Sequence, residues 1–242
     1  MAGPPQQQAR VDGRPANTTI RPLSCELGTL TSCDGSADWK SGLTSVLAAV
    51  HGPIAPRMSQ FEDAAQSTVS VVIQSGISNS SNNKNAGIER EWEGFLSRLF
   101  GSYVTLTSAH PRSTINIVLQ VLHSDGSVLG ACIHAAVAAL LDAGIEMKVL
   151  PVAVTCGVTE DGNFFLDPVT GEDDRHIVLI LDAQSQFLSC HSSASLRIRK
   201  EGLVSCHQLA ERAVPAVRAF FRMVMEQKST RESQTLWSLA PK

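Results

Sequence analysis

The sequence predicts a single α/β or α+β domain in which mixed β-sheets pack against helices. Three patterns indicate this class: short β segments open the chain, an alternating strand leads through a turn into an apolar helix, and further strands precede a last long helix. With 242 residues, 43% of them hydrophobic and 18% charged, the chain can bury a sizeable core. The net charge of −3 excludes a strong overall attraction to nucleic acid or to an acidic membrane, so any RNA contact must be local.

The first half of the chain carries three strand patterns, a helix and a fourth strand. The helix is expected over residues 88–101, where apolar side chains recur at helical spacing and Gly101 is a suitable C-cap. Apolar residues alternate with polar ones in all or part of each strand segment. The strands are expected in SADWKS (36–41), TSVLAAVHGP (44–53), QSTVSVVIQSG (66–76) and STINIVLQVL (113–122).

The segment DGSVLGACIHAAVAALLDAG predicts a turn followed by a helix. Asp125–Gly126 forms the turn, Ser127 can cap the helix with its side chain, and Gly144 ends it. Because apolar residues surround this helix on nearly every side, we expect it to be buried between a sheet and another element. His134 is then a hydrogen-bonded core residue rather than a catalyst.

The second half predicts more strands and a long helix at about residues 203–227. Pro215 lies inside this helix, where it should kink or divide it. The strands are expected in PVAVTCGV (151–158), NFFLDP (163–168), RHIVLILD (175–182) and SLRIRK (195–200).

The ends of the chain differ in composition from the rest. Residues 1–20 are rich in Pro, Gln and Gly and predict a flexible arm, and residues 228–242 predict a flexible tail, which leaves a domain at 21–227. The six cysteines are scattered without a Cys-x-x-Cys pair, as expected for free thiols in a reducing compartment. No window has the roughly 18 apolar residues of a membrane span, so a soluble intracellular protein is expected.

Several of these stretches together resemble the RNase PH family, the fold of phosphate-dependent RNA exonucleases and of the exosome ring. Residues 34–53 resemble its opening hairpin, 119–145 its central strand, turn and helix, and 151–174 its later hairpin and acidic loop. The resemblance covers about residues 20–226. It implies a ribosomal protein S5 domain 2-like fold and a ring subunit that assembles with other RNase PH-like subunits, cap subunits and single-stranded RNA. It also implies a location in the nucleus, nucleolus and cytoplasm, and no membrane.

The same resemblance identifies a degenerate phosphate site. In active members the turn before the central helix reads Gly-Gly-Thr-Arg-Thr, and its Arg grips the attacking phosphate. Here Gly126, Ser127 and Val128 occupy the corresponding positions, with Val128 in place of the Arg. Backbone amides and the helix dipole remain, worth about 0.3–1 kcal/mol for an anion, whereas charge-assisted bonds of about 1.5–3 kcal/mol each are lost. The turn is then a plain turn and helix cap, and the chain is expected not to catalyse phosphorolysis.

An acidic loop keeps another part of the family pattern. Asp167 and Asp173 are six residues apart, like the pair of which one member acts as general acid or helps to hold a metal, and we treat them as vestigial catalytic candidates. Glu172, Asp173 and Asp174 could bind magnesium and support hydrolysis of a phosphodiester. A solvated acidic loop without a cofactor is the preferred interpretation.

Local RNA contacts are expected from Arg98 and Arg112. The family's helix before the central strand presents several Arg residues to the RNA backbone; here Arg98 is kept, whereas Gly94 and Gly101 occupy neighbouring basic positions. Solvated surface charge is the alternative for each. The resulting hypothesis is a non-catalytic exosome ring subunit that guides RNA for 3′–5′ processing and degradation, including rRNA processing and mRNA turnover. The alternative is a metal-dependent or phosphorolytic nuclease that uses the Asp173 loop, acting as a homodimer.

Overall fold

A computed structural model describes residues 10, 12–14, 17–56, 63–75, 83–158, 164–172, 175–193 and 200–239. Within these ranges it contains nine strands and three long helices. The helices are α1 (Asn83–Arg98), α2 (Val128–Asp142) and α3 (Lys200–Leu239). The strands are β1 (Leu23–Leu27), β2 (Gly35–Ser41), β3 (Thr44–Ile54), β4 (Thr68–Ser75), β5 (Thr114–His123), β6 (Pro151–Val158), β7 (Phe164–Leu166), β8 (His176–Asp182) and β9 (Phe187–Ser192).

The strands form two sheets. The first has five strands in the order β1-β2-β3-β5-β4, and the second has four in the order β7-β6-β8-β9. Among the described strands, only β4 and β5 pair in parallel, joined through α1, whereas the other neighbours are antiparallel. The mixed α/β architecture predicted from the sequence is confirmed.

Helix α2 lies between the two sheets. Every residue from Leu129 to Leu140 is buried, and the helix contacts β2, β3 and β5 on one side and β6 on the other. Glycines permit both approaches, because a Cβ at Gly35 would lie 2.4 Å from the Ala139 carbonyl oxygen and one at Gly130 would lie 3.1 Å from Thr155 Oγ1. The burial predicted for this helix is confirmed.

An aromatic cluster joins α2 to β2 and α3. The ring centroid of Trp39 lies 4.9 Å from that of His134, and the rings of Phe220 and Phe221 complete the cluster. The Ala153 N–H donates to His134 Nε2 at 3.0 Å, and burial lowers the pKa of His134 to about 4. The prediction that His134 is a hydrogen-bonded core residue is confirmed.

The end of α1 differs from the prediction. Gly101 does not cap the helix; it lies inside a π-helical turn, Leu99–Val104, which ends at Thr105. Leu99, Phe100 and Val104 are buried, so apolar packing continues the helical backbone past the glycine.

Helix α3 is longer than predicted and continues through Pro215. One apolar face of the helix is packed on both sides of the proline. Its buried residues are Cys206, Ala210 and Val214 before Pro215, and Val217 and Phe221 after it. Residues 228–239 of the predicted tail belong to this helix. Among the described helices, none combines the length and the hydropathy that a bilayer-spanning segment requires.

One predicted strand and one unpredicted strand near the end of the second sheet need separate comment. The predicted strand 195–200 falls outside the described residues except for Lys200, which begins α3. Strand β9 was not predicted, because its sequence FLSCHS places polar residues on both faces of an edge strand and gives no apolar alternation.

Candidate functional site

The turn between β5 and α2 has a backbone that only close packing explains. Gly126 and Ser127 both have left-handed conformations, with φ of 77° and 51°. A Cβ at Gly126 would lie 2.4 Å from the Pro168 carbonyl oxygen, so only glycine fits where the turn meets the loop after β7. The structure thus brings the predicted phosphate turn and the predicted acidic loop together.

Ser127 occupies the N-cap position of α2, but its side chain makes no cap hydrogen bond. The left-handed backbone directs the hydroxyl towards the loop after β7 instead, where Oγ lies 3.4 Å from the Pro168 carbonyl oxygen. The expectation of a side-chain cap is therefore wrong. Val128, the first residue of α2, is half-buried and packs against the core, so it adds no charge to the turn.

Arg21 fastens this turn to the loop after β7. Its Nε donates to Asp167 Oδ2 at 2.9 Å and its Nη2 to Oδ1 at 2.7 Å, which is a bidentate ion pair. Its Nη1 also donates to the Asp125 carbonyl at 2.5 Å, and Nη2 to the Gly126 carbonyl at 3.3 Å. The Arg21 side chain is 4% exposed, so one buried cation binds both the acidic loop and the turn.

Asp167 is fixed as a carboxylate by these contacts. Burial alone would raise its pKa, but hydrogen bonds and charge from Arg21, with a contact from Ser127, hold the pKa below its usual range. Both carboxylate oxygens accept hydrogen bonds from Arg21. A general acid needs a proton near neutral pH, so the geometry does not fit the role considered for Asp167.

Two further arginines, from the predicted N-terminal arm, contact the same loop. Arg10 Nη2 donates to Glu172 Oε2 at 2.7 Å, and its Nη1 donates to the Leu166 carbonyl at 2.7 Å. Arg14 Nη2 donates to the Asp167 carbonyl, also at 2.7 Å. Arg10 is buried, so these arm residues are held against the domain. We call Arg10, Arg14 and Arg21 the arginine clamp.

Glu172 does not offer an open ligand for a metal. Burial alone would raise the pKa of Glu172, but the ion pair with Arg10 and the hydrogen bond from the Val169 N–H outweigh burial and hold the pKa below its usual range. The carboxylate is therefore charged and already bonded. Asp173 and Asp174 lie outside the described residues. Within the described part of the chain, no group of three His, Cys, Asp or Glu side chains is arranged to hold a metal ion. Magnesium binding stays a prediction.

The two predicted RNA-binding arginines lie away from the turn. Hydrogen bonds from β4 to α1 pair Ile73 with Glu93 and Val71 with Ser97, so α1 runs antiparallel to β4 and Arg98 lies near the start of the strand. Arg112 precedes β5, whereas the turn follows that strand, about 30 Å farther along. Both side chains are exposed, and their RNA contacts stay a prediction.

The arginine clamp is the part of the site that the sequence patterns missed. Its partners in and beside the loop after β7 are 146 to 162 positions away in sequence, and no local spacing joins them to the arginines. One signal was available in the sequence: the N-terminal segment has basic residues but no apolar periodicity, and a buried acidic loop needs cations to neutralise it. The six cysteines are free in the structure, as predicted.

Comparisons with known proteins agree with this fold. The model of the RNase PH family, described as the 3′ exoribonuclease family, domain 1, matches residues 19–146. An exosome complex exonuclease RRP46 homolog of Arabidopsis thaliana is 40% identical over 166 residues, which make up 69% of this chain and 66% of the relative, just under two thirds of its length. The homolog from Oryza sativa subsp. japonica is 39% identical over 169 residues, 70% of this chain and 68% of the relative.

Solved structures give the same result. The crystal structure of rice (Oryza sativa) Rrp46 superimposes with a TM-score of 0.79 at 32% identity, covering 90% of this chain and 100% of the rice chain. An archaeal exosome core chain has a TM-score of 0.72 at 18% identity, covering 88% of this chain and 91% of the archaeal one, which supports the fold alone.

Proposed function

Because the chain belongs to the RNase PH, or 3′ exoribonuclease, family, we propose that it is a non-catalytic subunit of an exosome ring. In this role it guides single-stranded RNA for 3′–5′ processing and degradation. The names of the relatives support the ring, since they are exosome components from plants and animals. The proposed partners are other RNase PH-like ring subunits and cap subunits, without a membrane, in the nucleus, nucleolus and cytoplasm.

The observation that carries the non-catalytic part of the proposal is the side chain at the first position of α2. Val128 is half-buried and apolar where active members of the family place the phosphate-binding Arg. The neighbouring carboxylate of Asp167 is bound to Arg21. Among the described residues, the turn therefore has no Arg at the position that would hold the attacking phosphate, and the carboxyl of Asp167 beside it is not protonated near neutral pH.

Degradation of a labelled single-stranded RNA by the purified chain tests this proposal. The reactions contain phosphate alone, magnesium alone, or neither, and an Asp173→Asn variant is the control for the acidic loop. We expect no release of nucleotides under any condition, together with assembly of the chain into a complex with RNase PH-like ring partners. Release of nucleoside diphosphates in phosphate would contradict the proposal at Val128. Release of monophosphates in magnesium, absent in the variant, would assign hydrolysis to the acidic loop.

A further inference from the structure

A cavity of about 400 Å³ lies beside the turn, between α1 and the ends of β4 and β5. Its walls are mainly apolar and include one indole ring. Hydroxyl groups of β4, the turn and the loop after β7 contribute the other polar edges, together with one carboxylate, Glu89. The main lining residues are Ile73, Ile88, Glu89, Trp92, Val121 and Val128.

The wall that carries Trp92 is fixed in place. The Ile73 N–H donates to Glu93 Oε1 at 2.9 Å, and the Val71 N–H donates to Ser97 Oγ at 3.2 Å. These bonds join the outer edge of β4 to α1 on successive turns of the helix. Trp92 itself packs partly buried against the hydrophobic core, so the cavity is formed before any ligand arrives.

The charges of the cavity exclude a phosphate group as its ligand. None of the described residues that line it is Lys or Arg, and its one ionisable side chain, Glu89, is an acid. A phosphate would meet the like charge of Glu89 without a cationic donor to neutralise it. A flat, uncharged group with hydrogen-bond donors on its edge suits the combination of indole, aliphatic walls and carboxylate.

An unpaired nucleobase has these properties. Every base has a face that stacks on an aromatic side chain, and the amino groups of cytosine, adenine and guanine can donate to a carboxylate. The volume also falls in the usual range for small-ligand sites, about 300–1,000 Å³. Since Val128 forms one wall, the phosphate of the same nucleotide would face the positive end of the α2 dipole, outside the cavity.

We propose that this cavity binds an unpaired base of single-stranded RNA, stacked on Trp92 and bonded through an amino group to Glu89. The phosphate-binding chemistry of the turn is thereby replaced by recognition of the base. The proposal rests on the proposed function only in taking RNA as the ligand. It predicts a preference for cytosine, adenine or guanine over uracil, because uracil has no amino group.

Fluorescence anisotropy with the full chain tests the proposal. The probes are a short labelled oligocytidylate, an oligouridylate, and an abasic ribose-phosphate chain of the same length. For the wild type we expect the abasic chain to bind about tenfold more weakly than oligocytidylate, and Trp92→Ala to remove this difference. The salt dependence of binding should be the same in both proteins, because no phosphate contact is lost. Trp92→Phe should restore most of the difference, and Glu89→Gln should remove the preference over oligouridylate.

Two controls keep the result interpretable. Tyr103→Ala removes an aromatic side chain that is 53% exposed and does not line the cavity, so it should bind like the wild type. Ile88 is 47% exposed at the cavity, so Ile88→Trp can fill the space without disturbing the core. It replaces Trp92→Ala in the test if that variant unfolds, and it should likewise remove the difference in binding between oligocytidylate and the abasic chain.

Equal binding of the abasic and intact chains by the wild type would overturn the proposal. It would also be overturned if Ile88→Trp left RNA binding unchanged but blocked assembly with a ring partner, because the cavity would then belong to a protein interface. If the chain assembles normally with ring partners but its RNA binding does not depend on the base, this inference alone is wrong. Failure to assemble would count against the proposed function.

Discussion

The arginine clamp and the adjoining start of α2 are neighbours with opposite electrostatic character. In the clamp, Arg10 and Arg21 are buried and form ion pairs with Glu172 and Asp167. At the start of α2, Val128 is apolar, and none of the described residues that line the cavity beside it is Lys or Arg. The difference indicates that buried charge here maintains the shape of the turn, while Val128, at the position proposed for a lost phosphate-binding Arg, is uncharged.

Removal of Arg21 should produce the largest effect. Arg21→Ala removes the bidentate partner of the buried Asp167 carboxylate, which keeps the backbone N–H of residue 21 and the Arg14 guanidinium 3.6 Å away. It also removes the Arg21 bonds to the Asp125 and Gly126 carbonyls, so we expect a loss of about 3–5 kcal/mol in the free energy of unfolding. Denaturant unfolding measures it. The double variant Arg21→Ala/Asp167→Ala should lose less than the sum of the single variants, and strict additivity would show that the pair is not coupled.

The buried face of α2 should give the next effect, through pH. The pKa of His134 falls from its ordinary 6.5 to about 4, so on acidification the unfolded chain takes up a proton before the folded chain does. Stability should therefore decrease by about 3 kcal/mol between about pH 6.5 and 4. His134→Gln should lack this decrease in denaturant titrations at several pH values. A flat wild-type profile over that window would contradict the account.

Asp167 and Glu172 affect stability at lower pH than His134 does, so the contribution of the arginine clamp can be measured separately from that of α2. Their folded pKa values lie below the ordinary 3.8 and 4.5, so their stabilisation is present above those values and is lost as the pH falls through the folded ones. Asp167→Asn should flatten the stability profile below about pH 4 and leave the His134 window unchanged.

The turn itself should give a smaller effect. Gly126→Ala forces a side chain into a left-handed conformation and against the Pro168 carbonyl, so we expect a loss of about 2–3 kcal/mol in thermal or denaturant unfolding. Gly144→Ala is the matched control, because Gly144 has φ of 70° with open space around it, and it should cost about 1 kcal/mol. Equal losses would show that contact with the loop after β7 does not constrain the turn.

The smallest effect is expected at the other end of α2. Lys228 Nζ lies 2.8 Å from Asp142 Oδ1, but the lysine is partly exposed and the Ser36 N–H also donates to Asp142. Lys228→Met should therefore cost no more than about 1 kcal/mol. A loss as large as that of Arg21→Ala would remove the distinction between a buried clamp and an ordinary ion pair.

The sequence predicted the elements with strong periodicity. Ile115, Ile117 and Leu119 alternate in β5, and the continuous apolar run of α2 could only be a buried helix. It could not predict the left-handed Ser127, since a serine at an N-cap ordinarily caps with its side chain. The roles considered for Asp167 and Glu172 were incomplete for a similar reason, because their arginine partners come from the distant N-terminal segment and long-range pairing leaves no local pattern.

Titration of inorganic phosphate into the wild type and a Val128→Arg variant, followed by amide chemical shifts of residues 126–130, tests the central claim most directly. The account predicts no saturable shifts for the wild type and saturable binding for the variant, since an Arg at this position adds charge-assisted bonds of about 1.5–3 kcal/mol each. Saturable binding of phosphate by the wild type, lost in Ser127→Ala, would show that the turn still holds a phosphate and would contradict the account.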